Sequence, residues 1–211
     1  MNNSNNTVEI NGSSKIVSDY FEICIHNILF QRKIYSRDQF KVIRKFGLNV
    51  VYSNNPEIVN YIKLIIKQLN NWIFNQSINW LTLLIVSKED DSITEKWMFH
   101  IDINNNNYNN NTNTTTTTTT TTIKSLETIQ LEIQSIIKQI SSSITFLPVL
   151  TTPQTFKILV HTIGDIKSNN NWDDAKFFKE IDENESESVE YNNLTTNNHK
   201  ISTYVTYKTI D

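Results

Sequence analysis

Four histidines, one cysteine and two short carboxylate runs are the residues in this 211-residue chain with chemistry beyond packing. His26, His100, His161 and His199 are scattered. No two stand four apart on one helix face, and neither a zinc-protease pair nor a nucleophile elbow occurs. A histidine in that setting reads as a structural residue rather than a ligand or a base. Cys24 falls on an apolar helix stripe and stands alone, which excludes a disulfide framework and a cysteine metal cluster and fits a reducing compartment. Asp173-Asp174 and Glu183–Glu190 lie in loop-like sequence and read as solvated surface. Gly12, Gly47 and Gly164 are the only glycines, so a glycine-rich phosphate cradle is absent. The residues point away from an enzyme and imply no cofactor and no metal. Binding is what remains.

Composition narrows the partners. The net charge of −3 with no basic patch gives no electrostatic footprint for nucleic acid. The polar N-terminus lacks a signal layout, and no apolar run approaches the ~18 residues of a membrane span, so no membrane partner is expected. A hydrophobic content of 38% supports one domain with some unstructured chain.

The elements that must position a binding site follow from periodicity. Residues 1–9 are polar and expected to be disordered, with Ser13 or Ser14 as a helix N-cap. Ile16, Val17, Tyr20, Phe21, Cys24, Ile28 and Leu29 repeat at helical spacing, and Ile23 and Ile25 widen the stripe until the helix is buried on most sides. Phe40 to Val51 reads as a connection with one short strand. Asn55-Pro56-Glu57 opens a second helix with a cap, a proline at the first turn and an acid at the positive end of the dipole. Trp80–Val86 is a continuous apolar strand, and Trp97–Ile103 alternates as its hairpin partner. The Asn/Thr-rich stretch 104–122 has too little apolar surface to order itself and is expected to be a disordered insertion.

A third helix is expected from Leu126 to Pro148, with Leu126, Ile129, Ile133, Ile136, Ile137, Ile140 and Ile144 on one face. This stripe reads as the central core helix. Phe156, Lys157, Ile158, Leu159, Val160, His161 and Thr162 form a third strand. A short turn is expected within 172–181, and Lys200–Lys208 alternates as a terminal strand. Together these give an α+β fold, a mostly antiparallel sheet with three helices on one face. A strand such as Phe156–Thr162, flanked by polar chain, could offer its edge to an extended peptide, although physics alone favours an internal or covered strand.

Several stretches carry a resemblance. Gly-Ser-Ser-Lys-Ile-Val (Gly12 to Val17), Asn-Ile-Leu-Phe-Gln-Arg-x-Ile-Tyr (Asn27 to Tyr35), Lys-Phe-Gly-Leu (Lys45 to Leu48) and Gln-Leu-x-x-Trp (Gln68 to Trp72) do so in the first half. Glu-Lys-Trp-x-Phe-x-Ile (Glu95 to Ile101), Ile-Lys-Gln-Ile (Ile137 to Ile140), Thr-Phe-Leu-Pro-Val-Leu (Thr145 to Leu150) and Thr-Thr-x-x-His-Lys-Ile (Thr195 to Ile201) continue it. The chain resembles the HORMA-domain family, within it the spindle assembly checkpoint branch, over residues 10–208.

The resemblance implies a conformational switch that clamps a peptide. A fixed core would carry a mobile C-terminal safety belt over 163–211, with His199, Ile201, Thr203, Tyr204, Val205 and Tyr207 as its switching strand. In the open form that strand covers the Phe156–Thr162 edge. In the closed form it crosses to the strand around Trp97–Ile103, and a guest segment takes the vacated edge. The implied guests are a kinetochore adaptor of the mitotic-arrest-deficient-one type and a cell-division-cycle-twenty type activator of the anaphase-promoting complex. Capture of that activator would delay anaphase, with the protein in nucleus, cytoplasm and kinetochore. An open/closed self-dimer is implied through Arg32, Lys138, Gln139 and Phe146, and an ATPase remodeller is a further possible partner. A HORMA adaptor in translesion synthesis or meiotic chromosome axes is the alternative. Deleting Lys200–Asp211 is expected to leave the core folded.

Overall fold

The computed structural model describes residues 2–103, 124–164, 172 and 181–209, with the backbone alone at 2–10. The insertion 104–122, the polar stretch 165–171, Asp173-Asp174 and most of the expected turn lie outside the described residues.

Helix α1 spans Asn2–Gln31. It therefore starts well before the expected caps, and residues expected to be disordered have helical backbone. Ser13 and Ser14 are buried within the helix instead of capping it. Val17, Tyr20, Phe21, Ile23, Cys24, Ile25, Ile28 and Leu29 are all fully buried. No stripe of one face could hold so many, so α1 is enclosed: α2 (Pro56–Phe74), α3 (Leu126–Ser142), the hairpin strand β2 (Leu48–Ser53) and the terminal strand all pack on it. The central core helix is thus α1, not the third helix. Burial also pushes the Cys24 thiol far up, so it is inert packing.

Strands β1 (Phe40–Lys45) and β2 (Leu48–Ser53) form a two-stranded antiparallel hairpin where one short strand was expected. Two consecutive positive φ angles, 49° at Phe46 and 74° at Gly47, make the two-residue turn that suits strand twist. Gly47 is also pressed by α3, since a Cβ there would lie 3.0 Å from Gln134 Nε2. That amide donates to the Phe46 carbonyl at 2.9 Å.

Helix α2 (Pro56–Phe74) begins as the sequence dictates, with the Asn55 side chain accepting from the Glu57 N–H. Helix α3 (Leu126–Ser142) is capped by Ser125, which accepts from the Thr128 N–H. It buries Ile129, Ile133, Ile136, Ile137 and Ile140. It ends before the expected boundary: Ser143–Thr145 tighten into a 3-10 turn that contains the exposed Ile144, and Leu126, the first helical residue, is exposed too, so neither belongs to the buried stripe.

The main sheet is antiparallel throughout. Its strands are β3 (Ile78–Ser87), β4 (Ile93–Ile103), β5 (Gln154–Thr162), β6 (Ser186–Glu190), β7 (Leu194–Thr195) and β8 (His199–Lys208). The order is β5-β3-β4-β8-β6, with the short β7 also on β8. Alternation sorts the side chains. Leu81, Leu83, Ile85, Trp97, Phe99 and Ile101 face the helices, while Leu84, Val86 and Ile93 form a smaller cluster on the other face. Phe99 meets Phe21 at 5.4 Å and Tyr20 at 6.2 Å, both edge-on, which ties the sheet centre to α1.

Candidate functional site

Strand β5 pairs with β3 along one edge, from Ser87↔Gln154 to Ile78↔Thr162. Among the described residues no strand covers its other edge. All the residues expected to form a peptide-binding edge, Phe156 to Thr162, are in this strand. Only Ile158 and, just before the predicted stretch, Gln154 are buried. Phe156 and Val160 lie half-buried against the main core, Leu159 half-buried against the opposite cluster, and His161 is exposed. Tyr61 of α2 stands 5.7 Å from the Phe156 ring and Tyr35 6.2 Å from it, both edge-on. Tyr61 keeps 46% exposure and its neighbour Leu64 65%. The border thus combines an open row of main-chain groups with incompletely covered apolar side chains.

Two described residues beyond β5 pack on opposite faces of the sheet. Trp172 packs on Trp72 at 4.9 Å, at the α2 end reached by Ile163 through the Ser77 carbonyl. Ile181 packs on the other face of the sheet, with Leu159, Leu84, Val86 and Ile93. Trp172 thus packs with the helix-side core and Ile181 with the cluster on the opposite face.

The expected switching strand is β8, and it lies beside β4, from Glu95↔Tyr207 to Ile103↔His199. That is the placement the resemblance assigns to the closed form. His199, Ile201, Thr203, Val205 and Tyr207 are buried on the helix side, and Tyr204 lies on the opposite face near Trp80. Thr203 Oγ1 bonds the Tyr20 hydroxyl at 2.9 Å. His199 Nδ1 is 2.7 Å from Ser13 Oγ, which also reaches Thr196 Oγ1 at 2.6 Å. Burial holds the His199 ring neutral, with its pKa lowered to about 4, while its bond to the Ile73 carbonyl opposes that shift. Tyr207 donates to Glu187 at 2.6 Å, and that bond, then burial, raises its pKa to about 12.

The expected self-association residues do not share one surface. Lys138 is exposed on α3, and Phe146 is 45% exposed with its ring 6.3 Å from Tyr207. Gln139 is engaged by the belt, accepting from the Asn192 N–H at 2.9 Å. Arg32 is only 7% exposed. Its Nε donates to Glu95 at 2.6 Å and its guanidinium also to the Pro148 carbonyl, so it is an internal strut, not a contact. Trp97 completes that group: its Nε1 donates to Glu95 at 2.9 Å and its ring stacks on Tyr191 at 5.9 Å. The sequence holds no spacing that would reveal Arg32–Glu95, which are far apart along the chain. Glu95 two residues before Trp97 in an apolar strand was the one available hint of a buried carboxylate.

Among the described residues no three His, Cys, Asp or Glu side chains come together to hold a metal, and no helix is long and apolar enough to cross a membrane. A family model described as the HORMA domain matches residues 13–205. The chain belongs to the HORMA-domain family. It is 34% identical over 201 residues to the mitotic spindle checkpoint component mad2 of Schizosaccharomyces pombe, covering 94% of this chain and 93% of that protein. It is 30% identical over 203 residues to the human mitotic spindle assembly checkpoint protein MAD2A, covering 95% and 93%. Among solved structures, a chain of a mitotic checkpoint complex crystal structure superposes with a TM-score of 0.78 at 34% identity, covering 94% of this chain and 99% of that one. The HORMA fold, α+β with its antiparallel sheet, is therefore shown by both sequence and shape.

Proposed function

We propose that this HORMA protein is a spindle assembly checkpoint component, acting by capture rather than catalysis. Its β5 border pairs with an extended guest segment, and the belt between β5 and β6 closes over that guest. The guests are a mitotic-arrest-deficient-one type kinetochore protein and a cell-division-cycle-twenty type activator of the anaphase-promoting complex. Holding the activator delays anaphase, with the protein in nucleus, cytoplasm and at kinetochores. The observation that carries the reading is the β5 edge, which no strand among the described residues covers, with Trp172 and Ile181 on opposite faces of the sheet. A strand laid on that edge gains main-chain bonds whatever its sequence, which suits one site to two guests. A belt closed over the guest must open before release, so the grip acts through the off-rate. Lys138 and Phe146 are proposed to meet a second, open copy of this chain, and an ATPase remodeller is proposed to reopen the closed form.

The test uses the activator's short binding segment in two N-methylated series, each blocking alternate amides. In a paired edge strand alternate N–H groups face the neighbour. One series should abolish retention by the full-length protein and the other should leave it intact. Equal retention of both series would sink main-chain capture at β5.

A further inference from the structure

The loop between β6 and β8 is held by polar side chains on α3 and just before it. Glu132 Oε2 accepts the Thr195 N–H at 2.9 Å. Lys124, ion-paired to the same carboxylate, donates its Nζ to the Thr195 carbonyl at 2.7 Å. Both main-chain groups of one β7 residue are therefore answered by a single ion pair. The Lys124 N–H donates to Asn197 Oδ1 at 2.8 Å, and the Gln139 bond to the Asn192 N–H closes the row further along the helix. Glu132 and Gln139 are seven residues apart, two turns of helix, so they share one face.

The geometry points to the Lys124–Glu132 pair as a latch that grips the belt's main chain and holds β8 on β4. Because its contacts are with main-chain groups of the belt, they are lost whenever β8 leaves β4. They therefore stabilise the closed arrangement alone and are absent from any arrangement with the belt detached. Charge-assisted bonds to N–H and C=O are about twice as strong as neutral ones, and this pair is only partly exposed, with side-chain accessibilities of 20% and 33%. Glu132 and Lys124 are positioning residues: they touch the belt and act on the guest through it. This inference rests on the capture reading for its consequence, but its first readout needs no guest.

Amide exchange of the full-length chain without guest should show β8 amides exchanging about tenfold faster in Glu132→Ala and in Lys124→Ala, with β3 amides unchanged. Glu132→Gln keeps an acceptor for the Thr195 N–H but not the charge, so it should fall between Ala and the unmodified chain. β8 exchange at the unmodified rate in both alanine variants would overturn the latch. So would an equal rise in β3, which marks general loosening. The activator segment should then dissociate about tenfold faster from Glu132→Ala. If the unmodified chain retains no segment, the capture reading falls while faster β8 exchange still upholds the latch.

Discussion

The two borders of the main sheet are built on different terms. At one, β6 is five residues long, carries Glu187 and Glu190, and is preceded by the acidic turn Glu183–Glu185. Short, charged edges of this kind repel strand addition. At the other, β5 runs nine residues with Lys157 as its one fully charged side chain and half-buried Phe156, Leu159 and Val160. A long apolar edge is an aggregation hazard, and natural proteins blunt it unless it is used. The contrast teaches where to look: the protected border closes the fold, and the unprotected one is the border proposed to pair with a guest. The strand next to the protected border, β8, also belongs to the core, whereas β5 is only half in it.

The largest test strikes the strut under the β8 side. Arg32→Ala leaves the Glu95 carboxylate, 1% exposed, without its cation and should cost about 3–5 kcal/mol in urea unfolding. Replacing both residues by apolar ones of similar size should restore most of it, because the pair's desolvation cost goes with it. An Arg32→Ala protein within 1 kcal/mol of the parent would show that the internal strut does no structural work.

Next comes the direct comparison of the borders. Ile201 is fully buried in β8, so Ile201→Ala should destabilise by about 2–4 kcal/mol through lost contacts and a cavity. Leu159 in β5 is half-buried, and Leu159→Ala should cost roughly half as much. Equal losses, read from denaturant midpoints at constant slope, would erase the distinction drawn between the two strands.

Acid sharpens it further. The His199 pKa is about 4 in the folded chain against an ordinary 6.5, with burial as the main cause. Between those values the unfolded chain binds the proton and the folded chain does not. The stability His199 confers is therefore complete above 6.5 and lost as pH falls toward 4, up to roughly 3 kcal/mol. His26, packed on Tyr52 in the fixed body, is lowered to about 4 by burial as well and titrates in the same window. His199→Asn should flatten the pH dependence of β8 exchange while leaving that of the β1–β2 hairpin, which His26 governs. An unchanged profile in β8 would refute the assignment.

Periodicity made the fold legible. The stripe of α2 and its Asn55-Pro56 start, the alternation of β4 and β8, and the apolar run of β3 all follow from spacing that local physics reads directly. The misplaced boundaries have local causes too. Ser13 and Ser14 have cap chemistry, yet inside α1 Ser13 serves His199 and Ser14 bonds the Asn11 carbonyl at 3.0 Å. The site was legible only in part. An edge strand differs from an internal one by its neighbours, which no residue of Phe156–Thr162 records, so the vacant border needed coordinates. Glu132 and Gln139 lie off the apolar stripe of α3, and their role could not be read because a polar helix face and a face that grips main chain share the same composition.

The smallest expected effect on the fold is also the one that separates surface from core. Arg32 and Lys138 carry like charges and were grouped by resemblance, but one is internal and the other projects from α3 into solvent. Lys138→Glu should change unfolding free energy by no more than about 0.5 kcal/mol, since exposed single charges contribute little. It should leave guest capture intact, because β5 lies at the far border from the α3 end where Phe146 meets Tyr207. Self-association should weaken about tenfold, as expected when a charge is reversed in a complementary contact. Sedimentation velocity across a concentration series measures this directly. An unaltered dimer would move the contact off Lys138, and a lost guest would mean that the two borders are not independent.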